Sequence, residues 1–273
     1  MPPALLDDLV RAAAAEVLTA RGLDLSALPV DAGVGRPHDP AQGEYATTVA
    51  LRTAARAGVA PVELAGWVRD ALAQRPEVAD VEVAGPGFLN LWMTPAGRAA
   101  VVAEVLDGDP VTGPELDIAV RGDLVESLGA DAARYAALQP GVEVGLLTRR
   151  VPENPLFRTQ YAHARLVALA RNAADLGIEA VPGPLHRPEE IELVRCLAGF
   201  PAVVRSGAPH RVARHLEALA GAVLDLHDSC AVLPKGDEEI TELHRARLAA
   251  AVAARRVLAA GLALLGVSAP DRI

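Results

Sequence analysis

At 273 residues the chain has room for two domains of ordinary size, each able to bury its own core. A formal charge of −9 argues against non-specific nucleic-acid binding, although it leaves room for a local basic face. Hydrophobic residues make up 51% and aromatics only 3%, so the cores must be built from Ala, Val and Leu, which favours helix over sheet.

In chain order, residues 4–21 carry helical apolar spacing (Leu5, Leu6, Leu9, Val10, Ala13, Ala14, Val17, Leu18), with Gly22 as the stop. A second helix is predicted from near Pro61, with Glu63 in its first turn, through Leu64, Trp67, Val68 and Leu72. Residues 78–83 (VADVEV) alternate like a strand, Gly85-Pro86-Gly87 breaks it, and Phe88-Leu89-Asn90-Leu91-Trp92 resumes extended structure. Thr94 and Pro95 then cap a third helix to about Leu106. Residues 107–117 (DGDPVTGPELD) have the Gly, Pro and Asp content of a linker.

Beyond the linker, helices are predicted over about 121–138, 154–176 (stopped by Gly177), 188–199, 210–230 and 237–265, ending at Gly266. Asn154 can cap free backbone N–H groups, and Pro155 suits a first helical position because it has no N–H to satisfy. The expected fold is an α+β N-terminal domain, a small sheet with helices, followed by an all-α helical bundle. The predicted limits are 1–107 for the first domain, 108–118 for the linker and 119–273 for the bundle.

No apolar run approaches the length that spans a bilayer, and the start MPPALLDDLVRAA lacks the basic and apolar regions of a signal peptide. Cys196 and Cys230 form neither a CxxC pair nor a metal-ligand spacing with the seven histidines; both are read as buried helical residues. The expectation is a cytoplasmic protein with no metal, no cofactor and no membrane partner. Lys235 is the only lysine, so the abundance of arginine reflects a compositional skew before it reflects function.

Five segments carry a family resemblance. Residues 154–165, NPLFRTQYAHAR, closely resemble the start of the anticodon-binding helical domain of arginyl-tRNA synthetases. Residues 43–51 (GEYATTVAL) and 84–90 (AGPGFLN) resemble two motifs of that family's N-terminal additional domain. Residues 129–135 (GADAARY) and the tail from Val257 resemble the segments that flank its helical domain. The resemblance implies that the bundle has the fold of the class Ia anticodon-binding domain. The middle of a synthetase is missing: only a short linker stands where the catalytic domain is expected. His38-Asp39-Pro40 is no HIGH motif, and a KMSKS loop is impossible with one lysine, because its lysines neutralise ATP phosphates during adenylate formation.

The resemblance places tRNA D-loop contacts on Phe88 and Asn90, where an aromatic face and an amide could meet an unpaired base. As residues alone, Phe88 reads equally as core and Asn90 as a turn residue. Anticodon contacts fall on Arg158, Tyr161, Arg165, His227 and Ile273. Arg158 stands where the family has a tyrosine, and Ile273 where it has a terminal methionine. Two arginine groups could compensate for lost aromatics: Arg205, Arg211 and Arg214 with His215, and Arg245, Arg247, Arg255 and Arg256; each reads equally as a solvated surface interleaved with glutamates. Glu189-Glu190 at a helix start is explained by the helix dipole. Gln160 and His163 are expected to serve packing and hydrogen bonding.

No acid, base and nucleophile converge in the sequence. The function expected is that of a non-catalytic arginyl-tRNA synthetase paralogue that binds an arginine-type tRNA or a tRNA-like RNA without aminoacylation. The alternative is a protein-interaction or regulatory module that has lost RNA binding and docks an amino-acid biosynthetic enzyme or a synthetase.

Overall fold

The computed structural model describes residues 5–37, 39–108, 116–139 and 141–273. His38 and most of the predicted linker (109–115) lie outside these residues. The described residues form ten α-helices and a four-stranded sheet, in two compact units that divide between Val101 and Val102.

In the first unit α1 (Leu5–Ala20) buries Leu6, Val10, Ala13, Ala14, Val17 and Leu18, the stripe its apolar spacing predicts. A helix the sequence reading did not separate, α2 (Val49–Ala57), follows directly on a short strand and buries Val49, Ala50, Thr53 and Ala54. The helix predicted from Pro61 is α3 (Pro61–Leu72), with Leu64, Ala65, Val68 and Leu72 turned inward. Strands β1 (Val34–Gly35), β2 (Tyr45–Thr47), β3 (Val78–Ala84) and β4 (Phe88–Met93) form an antiparallel sheet in the order β1-β2-β4-β3. Leu89, Leu91 and Met93 of β4 and Val81 of β3 supply its buried face. Thr94 caps α4 (Pro95–Asp107), the helix within which the two units divide, as predicted, its hydroxyl accepting from the Gly97 N–H at 3.0 Å.

In the second unit the helix predicted over 121–138 is two helices, α5 (Gly122–Leu128) and α6 (Ala130–Leu138). Gly129 separates them with φ 82°, a left-handed backbone that residues other than glycine resist. The bundle proper is α7 (Pro155–Asp175), α8 (Pro188–Arg205), α9 (Pro209–Ser229) and α10 (Glu242–Leu264). α8 runs six residues past its predicted end, through Pro201, and α10 starts at the Thr241 cap, later than predicted. α7 packs against α9 and α10, α8 packs against the same two helices, and α6 joins at α9. The core is aliphatic around one phenylalanine, Phe200, and one tyrosine, Tyr135, as the composition requires. Cys196 is a buried residue of α8; Cys230 is also buried but sits at the cap that ends α9 rather than within a helix.

Candidate nucleic-acid interface

α7 starts where the sequence places it, and Asn154 does more than cap it. Its Oδ1 accepts from the Phe157 N–H at 3.2 Å, while its Nδ2 donates to the carbonyls of Leu147 (3.1 Å) and Arg149 (2.7 Å). The helix and the preceding loop are thereby fixed to each other.

From this anchored start Phe157, Tyr161 and Arg165 follow at four-residue steps on one face. The Phe157 and Tyr161 rings are stacked, with centroids 5.7 Å apart. Arg165 Nη1 donates to the Tyr161 hydroxyl at 2.6 Å, and its guanidinium lies 5.4 Å from the centroid of the same ring. The second amino group of Arg165 meets Nε2 of His227 at the C-terminal end of α9. A guanidinium can only donate, so Nε2 accepts and the imidazole is neutral with its proton on Nδ1. Burial, and then the Arg165 charge, hold His227 below its ordinary pKa, against the opposing pull of Asp228. The structure thus brings together three of the expected anticodon contacts, His227 joining Tyr161 and Arg165 from another helix. Their chemistry suits an unpaired base, with a π-face to stack on, a cation for phosphate and an imidazole for a base edge.

Arg158 is turned to α9. Its Nη2 reaches the Glu217 carbonyl at 3.5 Å and passes over Gly221. The Glu217 carboxylate accepts from the Tyr135 hydroxyl at 2.6 Å and from the Gln139 amide. Burial pushes the Glu217 carboxyl above its usual range, while Tyr135, Arg158, Gln139 and Arg214 all act in the ionised form's favour. Burial first and the Glu217 charge second raise the Tyr135 phenol. Sequence reading had no access to this cluster, because Tyr135 and Gln139 lie 82 and 78 residues from Glu217. Ile273 is 42% exposed, and the tail leading to it is tied down by the Pro270 carbonyl at His163 Nδ1 (3.1 Å) and by the Ser268 carbonyl and hydroxyl at Gln160. Gln160 and His163 therefore serve packing and hydrogen bonding, as expected.

On the N-terminal unit Phe88 is 40% exposed and so is not a core residue, whereas Asn90 is 5% exposed. Both lie on the face of β4 opposite Leu89 and Leu91, because strand side chains alternate. Trp92 shares that face, as the two-residue period of the strand requires. Glu44, whose N–H donates to the Leu91 carbonyl, forms a buried ion pair with Arg98, whose Nε lies 3.2 Å from Glu44 Oε2. The Gly85-Pro86-Gly87 segment is the hairpin turn between β3 and β4. A side chain at Gly87 would come within 3.0 Å of the Pro61 backbone, and its φ of 131° also favours glycine.

Two of the arginine expectations are corrected. Arg247 is no surface cation: its Nε donates to Glu190 at 2.7 Å, and the two side chains are 9% and 1% exposed. Glu190 is accordingly more than a helix-dipole residue. Burial opposes its ionisation, but the Arg187 N–H, the Arg247 guanidinium and the His186 N–H hold its carboxyl below the usual value. His215 turns between helices, with Nε2 2.9 Å from the Cys196 carbonyl and its ring beside Phe200. Arg205, Arg211 and Arg214 do lie on the surface. Among the described residues no group of three metal-ligating side chains is assembled, and no helix is long and apolar enough to cross a membrane.

Comparison with known proteins connects both units to one kind of enzyme. Residues 5–93 match the arginyl tRNA synthetase N terminal domain, and residues 159–273 match the DALR anticodon binding domain. Among solved structures, the chain is similar to a Campylobacter jejuni protein assigned as an arginyl-tRNA synthetase. The identity is 18% and the TM-score 0.46, over 55% of this chain and 35% of that one. Thermus thermophilus arginyl-tRNA synthetase aligns at 22% identity and TM-score 0.44, over 66% of this chain and 31% of that one. The chain therefore spans about a third of the length of these structures.

Proposed function

We propose that this chain, which carries an arginyl-tRNA synthetase N-terminal domain and a DALR anticodon-binding domain, binds an arginine-type tRNA or a tRNA-like RNA in the cytoplasm and does not charge it. The observation behind the binding half is the Phe157–Tyr161–Arg165 ladder with His227, which offers stacking and phosphate contact in one half-buried place. Phe88 and Asn90 form the second proposed RNA contact, on the N-terminal unit. The domain limits we propose remain 1–107, 108–118 and 119–273.

The non-catalytic half rests on what lies between the matched segments. Residues 94–158 number 65 (158 − 94 + 1), and α4, α5 and α6 occupy much of that stretch. A domain that binds ATP and arginine needs more chain, and Lys235, the one lysine, cannot supply the phosphate-neutralising loop.

The test is a filter-binding titration with total tRNA at two salt concentrations. Saturable binding that weakens with salt, and is lost in Tyr161→Ala/Arg165→Ala, supports the reading. Absence of binding at micromolar protein would sink it in favour of a protein-docking module, for which the exposed Val181, Ile240 and Leu243 are the natural surface. ATP–pyrophosphate exchange is expected to be undetectable, and a positive result would overturn the non-catalytic half.

A further inference from the structure

The flank of α9 that borders α7 continues past Arg158 to the start of the helix. His210, Arg214, Glu217 and Gly221 follow one another at steps of three or four residues, so they share a face of α9. Glu217 and Gly221 meet Arg158, and further along His227 meets Arg165. The two helices therefore run side by side in the same direction. From Arg214 to His227 the helix rises ~20 Å.

At the other end of this flank lies an open cleft of about 600 Å³. Arg214, His210 and Asp117 give it polar edges, and Ile118, Ala137 and Leu138 give it an apolar wall. Arg214 and His210 are exposed, and neither forms a salt bridge among the described residues. Glu217, which separates the cleft from the Tyr161 ladder, is satisfied internally by Tyr135 and Gln139. Both Arg158 and Arg214 act on it, so two guanidiniums face one carboxylate at this point of the flank. Asp225 and Asp228, both exposed on the last turns of α9, supply negative charge beyond Gly221.

We propose that this flank of α9 is a track for one RNA strand, and that the cleft is a second nucleotide pocket on it. A base stacks at Tyr161, and the strand runs along α9 past Arg158. A further nucleotide enters the cleft with its phosphate on Arg214 and His210 and its base on the Ile118–Leu138 wall. Asp117 accepts from the ribose hydroxyl or a base-edge N–H. The chemistry is that of single-strand binding elsewhere: cations along the backbone and apolar surface under the bases. The inference rests on the RNA-binding reading above and extends it from one contact point to a path.

Fluorescence anisotropy on the full chain tests it, with labelled oligouridylates of about three and about twelve nucleotides. His210→Ala/Arg214→Ala, both surface changes, is expected to weaken the long probe about tenfold and leave the short one unchanged, whereas Tyr161→Ala weakens both. Losing one phosphate contact at Arg214 also lowers the salt slope for the long probe by about 0.7. A long probe carrying 4-thiouridine should crosslink to the peptide that contains residues 209–214. If the double variant binds both probes like the wild type while Tyr161→Ala weakens them, the track is wrong and the RNA reading stands. If the wild type binds neither probe nor tRNA, both fail. If polyglutamate competes as well as oligouridylate, the flank is an acidic-peptide surface and the track is overturned.

Discussion

Arg165 donates to the hydroxyl of Tyr161 one turn before it, 2.6 Å away, and its guanidinium lies 5.4 Å from the centroid of the same ring. One contact fixes the tilt of the tyrosine; the other keeps a cation beside its ring. The pair is thus preorganised, and a base that stacks there need not order the ring first.

This arrangement separates the tyrosine's two roles. Tyr161→Phe keeps the stacking surface and the Phe157 contact but releases Arg165 Nη1. Tyr161→Ala removes the surface, which is worth about 1–3 kcal/mol per stacked base. In anisotropy titrations with tRNA the alanine variant should lose about tenfold or more in affinity, and the phenylalanine variant clearly less. Equal losses would mean that the hydroxyl bond, not the ring, is what matters.

His227 predicts an acid-side effect. Its pKa is lowered from an ordinary 6.5, first by burial and then by Arg165. The unfolded chain therefore takes up this proton at higher pH than the folded one. The stability contribution is whole above about pH 6.5 and is lost as pH falls from there through the folded pKa. His227→Gln can still accept from Arg165 through its carbonyl oxygen but does not titrate. Thermal melts between about pH 7 and pH 5 should therefore fall more steeply for the wild type than for the variant. Parallel profiles would remove His227 from the account.

The buried Glu190–Arg247 pair is expected to hold the bundle and not to touch RNA. Arg247→Leu leaves Glu190 charged and buried, and should cost about 3–5 kcal/mol in urea unfolding. Glu190→Met combined with Arg247→Leu should be far milder, because no lone charge remains. RNA affinity measured well below the unfolding transition should match the wild type in both. A selective loss of RNA binding would show that Arg247 does belong to the interface.

Asn154→Ala removes a helix cap and two further hydrogen bonds at once, at a residue only 2% exposed. A cap alone is worth about 1 kcal/mol, and stranding two carbonyls adds to it, so about 2–3 kcal/mol is expected by chemical denaturation. Asn154→Asp keeps the cap but turns a carboxylate on the Leu147 and Arg149 carbonyls, and should be no better than alanine. Full stability in the aspartate variant would show that the cap alone matters.

Local interactions explain what could be read directly. The Asn154-Pro155 helix start, the apolar stripe of α1 and the alternating strand over 78–83 depend on residues a few positions apart, so spacing reveals them. The short helix Val49–Ala57 escaped because one nine-residue helix joined directly to a strand leaves little periodic signal. The break at Gly129 leaves little periodic signal, because α5 is only seven residues long and buries none of them.

Cross-chain partners account for the rest. Charge pattern gave Arg247 and His215 the look of surface residues, because their partners Glu190 and the Cys196 carbonyl lie 57 and 19 residues away. The sequence by itself determined the two domain types, the aliphatic cores and the candidate contacts Phe88, Tyr161 and Arg165, since propensity, capping and motif are properties of short segments. Only the tertiary structure decided that His227 closes on Arg165, that Arg158 faces Glu217, and that Phe88 is open while Asn90 is buried. The physical reason is that a side chain's charge state and exposure are set by what folding packs against it, and those neighbours come from distant parts of the chain.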